Sequence, residues 1–170
     1  MTKRVTVPIA LENRAHAGNA AAQFELAELY MTSEHDEDIA LAEEWALRAG
    51  QLGHVEAMYW LGEGYTHYAK EVLEEDPEDA KLNFEYGFNW LTQASKHQHA
   101  AAILELAGYY RRGNVVEKDV QKSVKLVTQA AELGDTQAMR DLSAIYAHGL
   151  GVDVNEEKAD YWQEKAQSST

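Results

Sequence analysis

The chain has 170 residues, 45% of them hydrophobic, which suffices for one domain of ordinary size with a continuous core and excludes a disordered tail. Fifteen Lys and Arg against 29 Asp and Glu leave a net charge of −14, which disfavours nucleic acid and anionic membrane surfaces as partners and favours proteins with basic segments. There is no cysteine, so a disulfide framework, a thiolate metal site and a cysteine nucleophile are all excluded.

The N-terminal stretch carries Lys3 and Arg4, but its larger apolar residues Val5, Val7 and Ile9 are interrupted by Thr6 and Pro8. That run is too short for a signal peptide, and no window approaches the roughly 20 apolar residues that span a bilayer. A cytoplasmic protein is expected, a removed leader aside. Pro8 to Ala17, with Leu11, Arg14 and Ala15, has the pattern of a second helix without a first and is expected to cap the N-terminal end.

The rest of the chain repeats itself. Four segments align, starting at Gly18, Gly53, Gln98 and Gly134, with spacings of 35, 45 and 36 residues. Four residues after each start stands an Ala (Ala22, Ala57, Ala102, Ala138), then at two further steps of four a Leu (Leu26, Leu61, Leu106, Leu142) and a Tyr (Tyr30, Tyr65, Tyr110, Tyr146). Steps of four place these residues on one stripe of a helix. The small residue beside each Leu (Ala27, Gly62, Ala107, Ser143) lets a second helix approach closely. That second helix carries its own stripe: Trp45, Arg48 and Ala49; Trp90, Gln93 and Ala94; Leu126, Gln129 and Ala130; Trp162, Lys165 and Ala166.

In the fourth unit the two helices are joined by His148-Gly149-Leu150-Gly151-Val152, where glycines supply the left-handed conformations of a tight turn. The first unit has Thr32-Ser33-Glu34-His35-Asp36 instead, and the second has about nine extra residues between Thr66 and Trp90. Glu71 to Asp76 reads as a longer acidic loop, and Pro77, Glu78 and Asp79 as the start of an extended second helix running to about Ser95.

The run of Ala138, Leu142, Tyr146, Gly149, Gly151, Val152, Asn155, Lys158, Ala159, Trp162, Lys165 and Ala166 resembles the Sel1-like repeat, a relative of the tetratricopeptide repeat. The resemblance is most specific in this unit and extends over about Pro8 to Gln167. It implies an all-α, right-handed superhelical solenoid of antiparallel helix pairs. One repeat domain over 1–170 is expected, with a cap at 1–17 and repeats at approximately 18–52, 53–97, 98–133 and 134–169. No further first helix follows Trp162 and Ala166 to cover them, so two readings of the C-terminal end stand: a candidate surface for homo-oligomerisation or for a partner, or Tyr161, Trp162 and their neighbours packed inward.

Signatures of catalysis are missing. There is no Gly-x-Ser-x-Gly elbow, no Ser-x-x-Lys pair and no glycine-rich phosphate loop, and acidic pairs such as Glu43-Glu44 and Glu156-Glu157 fit solvated helix faces. His97 and His99 fall short of the ligands a metal needs and sit at a helix junction, where capping is the simpler role. No enzyme activity, metal or cofactor is therefore expected. The resemblance implies a scaffold or adaptor that binds a protein partner. Its narrower form is an immunity protein or inhibitor masking a toxin or enzyme, and a ligand-binding or hydrolase-like module is the distant alternative.

A helical wheel locates the binding face. With the repeat Leu at zero and ~100° per residue, positions −5, −2, +2, +5 and +6 fall opposite the core stripe, and these line the concave groove in tetratricopeptide repeats. They read Ala21, Phe24, Glu28, Met31 and Thr32, then Glu56, Tyr59, Glu63, Thr66 and His67. The last two units give Ala101, Leu104, Gly108, Arg111 and Arg112, then Gln137, Arg140, Ala144, Ala147 and His148. The expected partner-binding set is Phe24, Glu28, Glu56, Tyr59, Glu63, His67, Leu104, Arg111, Arg112, Arg140 and His148. It is acidic in the first two units and basic in the last two, which predicts a partner segment with the opposite polarity.

Overall fold

A computed structural model describes residues 5–169; Lys3 and Arg4 of the N-terminal stretch lie outside the described residues. Among these residues there are nine α-helices and no strand: α1 (Ile9–His16), α2 (Ala20–Met31), α3 (Asp36–Gln51), α4 (Val55–Val72), α5 (Pro77–Lys96), α6 (Ala100–Arg112), α7 (Val120–Glu132), α8 (Thr136–His148) and α9 (Glu156–Ser168). They form two compact units, divided between Leu61 and Gly62 inside α4.

Each first helix of a repeat begins with the same local device. A residue with positive φ reverses the chain (Gly18, Gly53, Gln98, Gly134), and the next residue is the N-cap. The side chains of Asn19, His54, His99 and Asp135 accept the backbone N–H of Ala22, Ala57, Ala102 and Ala138 at 2.8, 3.2, 3.2 and 2.7 Å. The conserved spacing of the repeat Ala thus reflects a cap three residues earlier, which satisfies one of the orphan donors of the first turn. His99 is one of these caps, the role anticipated for it.

In the first unit α1 packs on α2 and α2 on α3 around buried Leu11, Ala15, Leu26 and Trp45. The ring of His16 meets Trp45 edge-on at 5.0 Å, and the Arg48 guanidinium lies 4.6 Å from the Trp45 ring centre. The missing glycine turn is replaced by side-chain hydrogen bonds. Thr32 Oγ1 donates to the Leu29 carbonyl (2.7 Å), and Ser33 Oγ donates to Asp38 Oδ2 (2.6 Å), a carboxylate that is itself buried.

In the second unit α5, α6, α7, α8 and α9 pack successively against one another. Gly62 of α4 brings that helix against α5: a Cβ at Gly62 would stand 2.6 Å from Leu91 Cγ, which is the close approach expected beside the repeat Leu. Between α6 and α9 the core is built from Ile103, Val127, Met139, Leu142 and Trp162, with Leu104 and Ile145 at its edge. Gly149 and Gly151 take the left-handed conformations foreseen for the last turn, with φ of 66° and 80°.

One expectation needs correcting. The extra residues of the second repeat do not make a longer loop: α4 runs on to Val72, and only four residues separate it from α5, whose N-cap Asp76 and first-turn Pro77 are those expected. Of the two readings of the C-terminal end, Trp162 follows the one that packs it inward. It is 9% exposed within the core, its ring met edge-on by Tyr161 at 5.1 Å and approached by Lys165 Nζ at 4.9 Å, so that Tyr161 alone of the pair is exposed.

Candidate partner-binding surface

Most of the positions opposite the repeat Leu do face outward. Glu28 and Glu56 are exposed in the first unit and Tyr59 is half-buried there; Glu63, His67, Arg111, Arg112, Arg140 and His148 are exposed in the second, with Leu104 half-buried. His67 Nδ1 lies 3.5 Å from the Glu71 carboxylate one turn on.

Phe24 is the exception among the expected contact positions. It is 9% exposed, and its ring stacks on His54 with centroids 4.8 Å apart. The wheel treats α2 as an isolated cylinder, whereas the imidazole that caps the next first helix covers this side of it. Phe24 is therefore core, not a contact residue. Thr66, also on the outward stripe, is 1% exposed.

In the second unit α6 and α8 open onto a cavity of about 440 Å³ floored by α7. It brings together Leu104, Gly108, Arg111 and Arg112 of α6 with Gln137, Ala144 and Ile145 of α8, and Glu105, Asp141 and Lys70 complete its charged rim. Arg112 folds back along its own helix because Gly108, four residues earlier, has no side chain: a Cβ there would be 3.0 Å from the guanidinium Nη2. The guanidinium carbon stands 5.8 Å from the centre of the Tyr109 ring. Among the described residues neither Arg111 nor Arg112 is in an ion pair, and Asp141 Oδ1 accepts from Gln137 Nε2 at 2.8 Å.

The wheel missed Lys70 and Lys81. Lys70 lies nine residues after Leu61, which is ~180° from it and so on the outward stripe, but one turn beyond the length of an ordinary first helix. With Leu73, Pro77, Lys81, Phe84, Arg112 and Asn114 it lines a second cavity of about 490 Å³.

Behind this surface the aromatic residues of the lengthened repeat form a buried cluster. Tyr109 is fully buried, with Phe84 and Phe88 edge-on to its ring at 6.1 and 5.4 Å. Burial pushes its phenol from the ordinary value of 10.0 up to about 12, although the Arg112 cation pulls the other way.

The cavity has an apolar floor with side chains of both signs around it, and there is no group of three or more metal-ligating side chains among the described residues. Stacked helix pairs of this kind define the class of all-α repeat solenoids that serve as protein-interaction or regulatory scaffolds. The Sel1 repeat family matches at residues 20–54, 55–99, 100–135 and 136–166, and the chain belongs to that family.

Two solved structures share the fold. A protective antigen of uropathogenic Escherichia coli has a TM-score of 0.80 at 28% identity, the match covering 96% of this chain and 33% of that one. A Sel1 repeat protein from Oxalobacter formigenes has a TM-score of 0.77 at 27% identity, covering 93% of this chain and 61% of that one. In sequence the chain is 33% identical over 158 residues to a chitin synthase regulator of Saccharomyces cerevisiae, covering 90% of this chain and 22% of the regulator. It is 30% identical over 127 residues to an exopolysaccharide production negative regulator of Rhizobium meliloti, covering 71% and 47%. The chain thus spans less than half the length of either regulator. No described helix is long and apolar enough to cross a membrane.

Proposed function

We propose that this chain is a regulatory module that binds a partner protein on the outward face of its first helices, with Leu104, Arg111 and Arg112 at the centre of the contact. The observation that carries this reading is the cavity between α6 and α8. It sets a half-buried Leu among arginines that make no ion pair among the described residues, and an apolar anchor beside Arg is the composition that concentrates binding energy at interfaces. The two regulators among the relatives support a role exerted by binding rather than by catalysis. The absence of cysteine is compatible with a reducing, cytoplasmic setting. Masking of a toxin or enzyme is a narrower form of the same act, and differs in requiring that the partner's activity disappear at one-to-one stoichiometry.

Site-specific photo-crosslinking in the source cell tests the surface. A crosslinking side chain at exposed Ala144 of α8 should yield a protein adduct, whereas one at exposed Ile39 of α3 should not. Adducts from Ile39 and none from Ala144 would place the contact on the second helices instead.

A further inference from the structure

The second cavity differs from the first in its charge. Three cations, Lys70 from α4, Lys81 from α5 and Arg112 from the end of α6, surround a floor to which Leu73 and Phe84 contribute, and no carboxylate lines it. Among the described residues none of these cations is in an ion pair, on a chain whose net charge is −14. The connecting stretch does carry Glu74, Glu75 and Asp76, yet none of the three lines the cavity. Leu73 is 46% exposed, so apolar surface remains open inside the cationic collar.

We infer that this cavity is the seat for an acidic segment of the partner protein, with one large apolar side chain on Leu73 and Phe84 and flanking carboxylates paired with Lys70, Lys81 and Arg112. The size fits: about 490 Å³ takes one aromatic or branched side chain with room at the rim. The charge fits as well, because three clustered cations repel one another until an anion enters, and Arg pairs with a carboxylate through two parallel hydrogen bonds. Much of the seat is made by the extra residues of the second repeat, which lengthen α4 past Lys70 and place Leu73 and Lys81 about one turn beyond the regular repeat. That lengthening therefore acts as a specificity element. The inference rests on the proposal that the chain binds a protein, and adds the chemistry of the segment bound.

The test is selection from a phage-displayed library of random peptides on the full chain, followed by measurement of the enriched peptides by fluorescence anisotropy. The expected peptides combine Asp or Glu with a Phe, Leu or Trp. Their affinity should fall about 10-fold or more with Lys81→Glu or Lys70→Glu, both at exposed positions, and should fall when their acids are replaced by amides. Lys125→Glu, on α7 outside both cavities, should leave it unchanged. No enrichment, enrichment of basic or neutral peptides, or acidic peptides indifferent to both charge reversals would overturn the inference. Loss of Ala144 crosslinks would instead count against the binding surface itself, so the two failures are distinguishable.

Discussion

The hydroxyls of Thr66 and Tyr109 lie 2.6 Å apart inside the second unit, joining α4 to α6. Thr66 Oγ1 also donates to the Gly62 carbonyl at 2.6 Å, so its proton is in use and the Tyr109 hydroxyl donates to Thr66. Both side chains are buried, and the chain of hydrogen bonds satisfies both hydroxyls without water. Tyr109→Phe should cost about 1 kcal/mol in chemical denaturation, the net worth of one buried hydrogen bond, because the Thr66 to Gly62 bond survives. Tyr109→Ala also leaves a cavity and should cost about 3–5 kcal/mol.

The same tyrosine makes the fold sensitive to alkali. Its folded-state pKa is raised to about 12, so the phenol holds its proton after the unfolded chain has released it. Its contribution is complete below about pH 10 and is lost as pH rises from there toward 12. Tyr30, raised by burial and then by Glu12 and Asp38, adds in the same direction. The midpoint of urea unfolding should fall across this window, and more steeply in the wild type than in Tyr109→Phe; equal slopes would remove Tyr109 as the cause.

Three helical glycines should respond in opposite ways to alanine. A Cβ at Gly62 would stand 2.6 Å from Leu91 Cγ, and one at Gly87 2.5 Å from Thr66 Oγ1 and 2.7 Å from the Tyr109 hydroxyl. Overpacking of this kind costs about 1–3 kcal/mol, against which the helix preference for Ala returns at most about 1. Gly64, on the same helix, has nothing within 4 Å of its added Cβ, so Gly64→Ala should stabilise by up to about 1 kcal/mol. Thermal unfolding of the three variants checks the order.

The turn that starts the third repeat carries the one described non-glycine residue with positive φ, Gln98 at 59°. Gln98→Gly should raise stability by about 0.5–1 kcal/mol, since relief of left-handed strain exceeds the added chain entropy. His99→Ala removes the cap that follows and should cost about 1 kcal/mol, with His99→Asp restoring most of it.

How much of this was legible in the sequence follows from how local each cause is. The helix pairs, the glycine turn and the start of α5 at Pro77 depend on spacing and on single residues, so they could be read directly. Phe24 could not, because its cover is the His54 ring of the following repeat. Tyr109 was overshadowed by the repeat Tyr110: one residue turns the side chain by ~100°, and it enters the core where Gly87 leaves room. Lys70 stood on the correct stripe but past the expected end of α4, and Lys81 became part of the surface only because that helix is longer.

A partner protein held on α6 and α8 is tested most directly by affinity. With a partner recovered by the Ala144 crosslink, the affinity of the wild type should be compared with Leu104→Ala, Arg111→Ala and the control Lys125→Ala on α7, each shown by circular dichroism to remain helical. Losses of about 1–2 kcal/mol are expected at Leu104 and Arg111, no change at Lys125, and an association rate that falls with added salt. Unchanged affinity in both the Leu104 and Arg111 variants would contradict a contact on α6 and α8.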